Sequence, residues 1–119
     1  MPTVTFRDET ATGKALAEFA LPDLPEIITA RELVRLRVRE EVARHNAAPS
    51  ARFDGLVRPA DTTRRVDWER QADIAERAFG RNGFLLLVGD RQIEDLAETI
   101  DLRVDPVVSF IKLVTLVGG

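Results

Sequence analysis

The chain has 119 residues and a formal net charge of −3, which suits one domain with a modest core and gives no electrostatic case for binding nucleic acid or an anionic membrane. It holds no cysteine, so disulfides, thiolate catalysis and zinc–cysteine sites are excluded. No apolar run approaches the roughly 20 residues needed to span a bilayer, and the first ten residues lack the apolar centre of a signal peptide; a cytoplasmic location is the expectation.

Thr3 to Arg7 (TVTFR) alternates, with Val4 and Phe6 on one face, and predicts a strand. Asp8 to Gly13 has turn composition, with Gly13 free to take positive φ. Lys14 to Leu21 alternates again, so the two runs predict an N-terminal hairpin. Leu21 to Glu26 (LPDLPE) is a proline-punctuated loop.

Thr29-Ala30-Arg31-Glu32 is a capping box, with Ile28 and Leu33 placed as a hydrophobic staple. The helix it starts is expected to run to about Asn46, with Ala30, Leu33, Val34, Val38 and Val42 on its apolar face. Arg37 and Glu41 fall on that same face, four apart. Either they pair there, or the later turns face something other than the core.

Residues 47–83 read as one inserted segment. Ala47 to Thr63, with Pro49 and Pro59, reads as a connector, and Asp67 to about Phe79 as a second helix stopped by Gly80 or Gly83. Phe53, Trp68 and Phe79 are its large aromatics. They are candidates for packing the insertion on the body or for a self-contact, since aromatics anchor both cores and interfaces.

Phe84 to Val88 (FLLLV) predicts a buried strand, Gly89-Asp90 a turn, and Arg91 to Ile93 a short return strand. Glu94 to Leu102 has room for one helical turn. Asp105-Pro106 breaks the chain before a last strand, expected over Val107 to Val117, which leads into Gly118-Gly119. Glycines carry no Cβ, so such a pair can follow a narrow channel into a partner's site.

No catalytic or metal-ligating residues stand out, and neither a cofactor nor an enzymatic role is expected. The single histidine, His45, is expected at the surface near a helix end, where a cation is favourable. Glu40-Glu41 and Glu94-Asp95 are sequence neighbours and do not face one another.

Taken together, Thr10-Ala11-Thr12-Gly13-Lys14, the helix capped at Thr29, and the run from Val88-Gly89-Asp90-Arg91-Gln92-Ile93 to the Gly-Gly end resemble ubiquitin. The resemblance covers nearly everything except the middle. It implies an α+β chain of the β-grasp type, a mixed sheet around one helix with the first and last strands adjacent and parallel, interrupted by the 47–83 insertion. It implies a single domain over 1–119 and a projecting tail, Thr115 to Gly119.

The resemblance also implies a modifier that needs no processing. Its Gly119 carboxylate is activated by an adenylating enzyme with ATP, passed to a cysteine conjugating enzyme as a thioester, and joined to a target. A JAB-type isopeptidase would remove it. Gly118 and Gly119 are then the conjugation terminus, and Thr115, Leu116 and Val117 an apolar recognition tail where ubiquitin is arginine-rich. Positions near Leu86, Lys112 and Val114 match a partner-binding patch. Gapless alignment puts Lys112 inward; a one-residue slip, sending Lys112 outward and Ile111 and Leu113 inward, is preferred because register follows the buried face.

A bacterial ubiquitin-like protein, of the kind linked to phage defence, fits better than ubiquitin itself. Two alternatives share the same features. One is a sulfur carrier with a terminal thiocarboxylate. The other is a non-conjugated module that forms a homo-oligomer through its apolar tail or insertion.

Overall fold

The computed structural model describes residues 2–48, 55–62 and 65–118. The chain is α+β: a mixed five-stranded sheet with two helices. The elements are β1 (Val4–Thr10), β2 (Ala15–Leu21), β3 (Ile27–Thr29), α1 (Ala30–Ala47), β4 (Arg58–Pro59), α2 (Trp68–Gly80), β5 (Phe84–Val88), β6 (Arg91–Ile93), β7 (Thr99–Asp101), β8 (Val107–Lys112) and β9 (Val117–Gly118). The large sheet runs β2-β1-β8-β5-β6, with β1 and β8 parallel at its centre and the other pairings antiparallel.

Local chemistry explains most boundaries. Gly13 takes φ +86° in the first hairpin turn, a conformation that penalises a Cβ. The Thr29 hydroxyl accepts from the Glu32 N–H at 3.1 Å and donates to the Glu32 carboxylate. Such a cap stabilises a helix by about 1 kcal/mol. Asp67 caps α2 by accepting from the Glu69 N–H. Gly89 has φ +59°, and a Cβ there would stand 2.8 Å from Asp105 Oδ1.

Alternation decides the core. Val4 and Phe6 on β1, Phe84, Leu86 and Val88 on β5, and Val108 and Phe110 on β8 are buried on the face that carries α1. From α1, Ala30, Leu33, Val34, Val38 and Val42 are buried with them. A row of phenylalanines crosses the sheet: Phe19 stacks on Phe6 at 5.3 Å, Phe110 lies 6.2 Å from Phe6 and 5.7 Å from Phe84, and Phe79 meets Phe84 edge-on at 5.8 Å. The last contact ties α2 into the same core.

Four expectations need correction. β1 continues through Asp8 to Thr10, and Asp8 is buried instead of turning with Gly13. Residues 94–102 hold a strand where one helical turn is expected: β7 pairs with β3, whose last residue, Thr29, is the α1 cap. His45 is buried, and its Nε2 lies 2.9 Å from the Thr62 carbonyl oxygen. Finally, β8 ends at Lys112, because the Leu113 and Val114 N–H groups both turn to the Gly83 carbonyl oxygen.

The preferred strand slip also fails. Lys112 lies on the face of Val108 and Phe110, and Leu113 is exposed. The reason is electrostatic. Lys112 Nζ sits 3.5 Å from Asp8 Oδ2 and donates to the Gly55 carbonyl at 3.3 Å, so its charge is met on the inner side.

Candidate functional site

The structure brings together the tail and the inserted segment. After β8 the chain bends at Leu113 and Val114 and runs back along the insertion as β9. Val117 and Gly118 pair in parallel with Arg58 and Pro59, and the Arg58 N–H donates to the Leu116 carbonyl at 2.8 Å. Leu116 packs against the core margin beside Gly83. The expected projection of Thr115 onward is therefore not what 115–118 do: they lie on the body, held by β4 and the end of α2. Gly119 lies outside the described residues.

The tail presents alternate sides. Thr115 and Val117 are exposed while Leu116 turns inward. A partner meeting the docked tail reaches the first two side chains and the half-buried Leu116 only where it lines the groove beside α2; reading all of Leu116 requires lifting the strand off Gly83. That strand pairs with only the two residues of β4, so few backbone bonds must break to release it.

The insertion is anchored in two ways. On one side, Ala72 and Ala75 of α2 are buried, Arg31 pairs with Glu76, and Arg35 bridges Glu76 and Asp73, the latter at 2.9 Å. The Arg35 guanidinium is held above its ordinary pKa, chiefly by the Asp73 hydrogen bond, with partial burial working against it and Glu76 adding to the rise. The guanidinium groups of Arg35 and Arg39 both lie over the Trp68 ring, 5.6 and 5.5 Å from its centroid. Trp68 and Phe79 both pack on the core margin, while Phe53 lies outside the described residues.

On the other side is a buried ionic cluster. Arg37 is fully buried, donates to Asp8 through both terminal nitrogens, Nη2 to Oδ2 at 2.7 Å, and donates from Nε to Glu41 at 3.0 Å. Its guanidinium lies 4.3 Å from the Phe110 ring centroid. Burial pulls its pKa down, but Glu41 and Asp8 outweigh that and hold it raised. Glu41 Oε1 also accepts from the Leu56 N–H at 3.1 Å, so the cluster reaches the insertion just before β4. The two sequence readings of Arg37 and Glu41 thus merge: the residues pair, and the later turns of α1 do face something other than apolar core.

The expected patch of Leu86, Lys112 and Val114 does not assemble. Leu86 is fully buried opposite Phe110, Lys112 points at Asp8, and Val114 alone is exposed, at 58%. Counting along β5 from its apolar run could not reveal this, because the strand is apolar on both faces and either parity looks inward.

Several residues that matter escaped sequence reading. Asp8 looked like a turn residue, Arg58 lay in a connector, and Gly83 looked like a helix stop. Asn82, at φ +58°, takes the left-handed position after α2, whereas Gly83 is there because a Cβ would stand 3.1 Å from Leu116 Cδ2. Arg70, Arg77 and Arg81 recur in the sequence at i, i+7 and i+11, a spacing that carries no signal until α2 and its cap place them together. They flank the tail. Among the described residues no helix is long and apolar enough to cross a membrane. No protein-family model, no curated protein and no solved structure matches this chain.

Proposed function

We propose that the chain is a β-grasp, ubiquitin-like modifier whose Gly119 carboxylate, native or freed by cleavage, is the acyl donor. The carboxylate attacks the α-phosphate of ATP in an adenylating enzyme, and pyrophosphate leaves. A cysteine thiolate displaces AMP to give a thioester, and a target nucleophile displaces the thiolate. A JAB-type isopeptidase reverses the attachment. The protein itself performs no catalysis, and the setting that fits is a bacterial conjugation pathway of the antiphage type.

One observation carries the reading. The central β8, parallel to β1 and covered by α1, delivers its chain into a short surface strand that leads to the Gly118-Gly119 pair. A firm body and a detachable, glycine-ended strand are what such a donor needs. The test is pyrophosphate exchange by the adenylating enzyme of the same host. Exchange with the full chain and none after Gly119 is deleted supports the reading; equal exchange by both overturns it.

A second reading is favoured by exposed apolar residues beside the tail. Leu16, Leu113 and Val114 line one groove and are 53%, 41% and 58% exposed. Such a surface suits self-association. Concentration-dependent light scattering that disappears in Leu113→Ser/Val114→Ser supports it, and scattering that stays monomeric throughout removes it. Sulfur transfer shares the terminus but gains nothing from these residues.

A further inference from the structure

Helix α2 separates its charges. Of its three acids, Asp73 and Glu76 are taken up by arginines of α1, and Glu69 sits in the first turn, where the dipole favours an anion. Arg70 and Arg77, seven apart, lie on another stripe of the helix, and Arg81, the residue that caps its C-terminus, lines the same groove. All three are exposed and make no ion pair with a described residue, and they line the groove shared with the tail. In a chain of net charge −3 this is a local surplus, not general basicity.

The helix dipole does not account for the row. It favours cations at the C-terminal end, which covers Arg77 in the last turn and Arg81 at the cap. Arg70 stands in the first turn, where a cation is disfavoured. The groove has a volume of about 510 Å³, and Ile74, Ala78 and Leu116 give it an apolar lining. Its occupant must therefore combine carboxylates with aliphatic side chains. A nucleic acid strand offers phosphates but no aliphatic groups to cover that lining.

We propose that the Arg70–Arg77–Arg81 row and the tail strand beside it form a docking surface for an acidic, leucine-bearing peptide segment of a partner protein. The segment's carboxylates meet the guanidinium groups, and its aliphatic side chain covers Leu116. If the conjugation reading holds, the partner is an enzyme that handles the tail, and the row orients it before the tail is lifted. Docking itself does not depend on that reading.

The experiment uses the full chain and a fluorescein-labelled peptide of glutamate, aspartate and interspersed leucine, read by fluorescence anisotropy. Binding should weaken steeply with added salt. The triple variant Arg70→Glu/Arg77→Glu/Arg81→Glu should lose at least about tenfold in affinity and gain binding of a lysine–leucine peptide. These side chains make no ion pair with a described residue, but the helix end favours cations at Arg77 and Arg81, so the milder Arg70→Gln/Arg77→Gln/Arg81→Gln variant serves as the control: it should unfold in urea near the native midpoint and still lose affinity. Deleting Gly119 should leave the affinity unchanged, which keeps this test apart from that of the conjugation terminus. Undetectable binding by the native chain, unaltered binding by the triple variant, or tighter binding of single-stranded oligothymidylate would each overturn the proposal.

Discussion

Leu116 Cδ2 occupies the space that a side chain on Gly83 would need: a Cβ there would stand 3.1 Å from it, and 3.2 Å from both Cβ and the carbonyl oxygen of Ala78. The leucine can swing away, but Ala78 belongs to α2 and cannot. Gly83→Ala should therefore destabilise the protein by about 1–3 kcal/mol, the usual cost of overpacking. It should also speed hydrogen exchange at the Arg58 amide, which donates to Leu116. Native exchange at Arg58 together with native urea stability would show that the tail is not held here.

The buried cluster makes a sharper prediction. Removing one partner of a buried pair leaves an uncompensated charge, at about 3–5 kcal/mol. Asp8→Ala should cost that much in urea unfolding, since Arg37 would keep only Glu41 and Lys112 would lose its carboxylate. The double variant Asp8→Leu/Arg37→Met should recover part of that, because two apolar side chains need no partners and only the half-buried Glu41 and Lys112 lose theirs. A double variant as unstable as the sum of its parts would mean that the cluster's worth lies in packing alone.

Trp68→Ala tests the attachment of the insertion. The indole is only partly buried, so its loss should cost about 2 kcal/mol, less than for a fully enclosed tryptophan. It should also detach Arg35 and Arg39 from their shared ring. Unchanged urea stability with unchanged size in solution would remove Trp68 from both roles considered for it.

Asp101 supplies the pH prediction. Its carboxyl is held below the ordinary carboxylate range, first by the Arg103 side-chain hydrogen bond, with desolvation opposing and the Arg103 and Val104 N–H groups assisting. A lowered folded pKa means stability that is present above the unfolded value and lost as pH falls through the folded one. In Arg103→Gln the Asp101 midpoint should rise in an NMR titration. The two proteins should differ most near neutrality and converge in acid. A midpoint that does not move would assign the shift to the backbone amides.

How much of this was legible follows from the range of each interaction. The Thr29 cap, α2 and the β5–β6 turn are encoded within a few residues, by a cap, a period or a glycine, and their expected bounds match the structure closely; the hairpin is legible too, but its first strand runs three residues further, to Thr10. Longer-range features were not. β3 and β7 are three residues each and pair across more than half the chain, and neither has enough alternation to announce itself. The inward Lys112 depends on Asp8 and on the Gly55 carbonyl, which a rule that sends charges outward cannot anticipate. The folded-back tail depends on Gly83, whose reason is a contact with a residue far along the chain.

The central claim is that Gly119 becomes an acyl donor, and the most direct measurement is mass spectrometry of tryptic digests from the native host. Trypsin cuts after Lys112, so a conjugated chain leaves Leu113 to Gly119 on its acceptor. Acceptor peptides bearing that heptapeptide through the Gly119 carbonyl, and lost when Gly119 is deleted, are the expected result. Recovery of the heptapeptide solely as a free acid or a thiocarboxylate, with no acceptor attached, would contradict it.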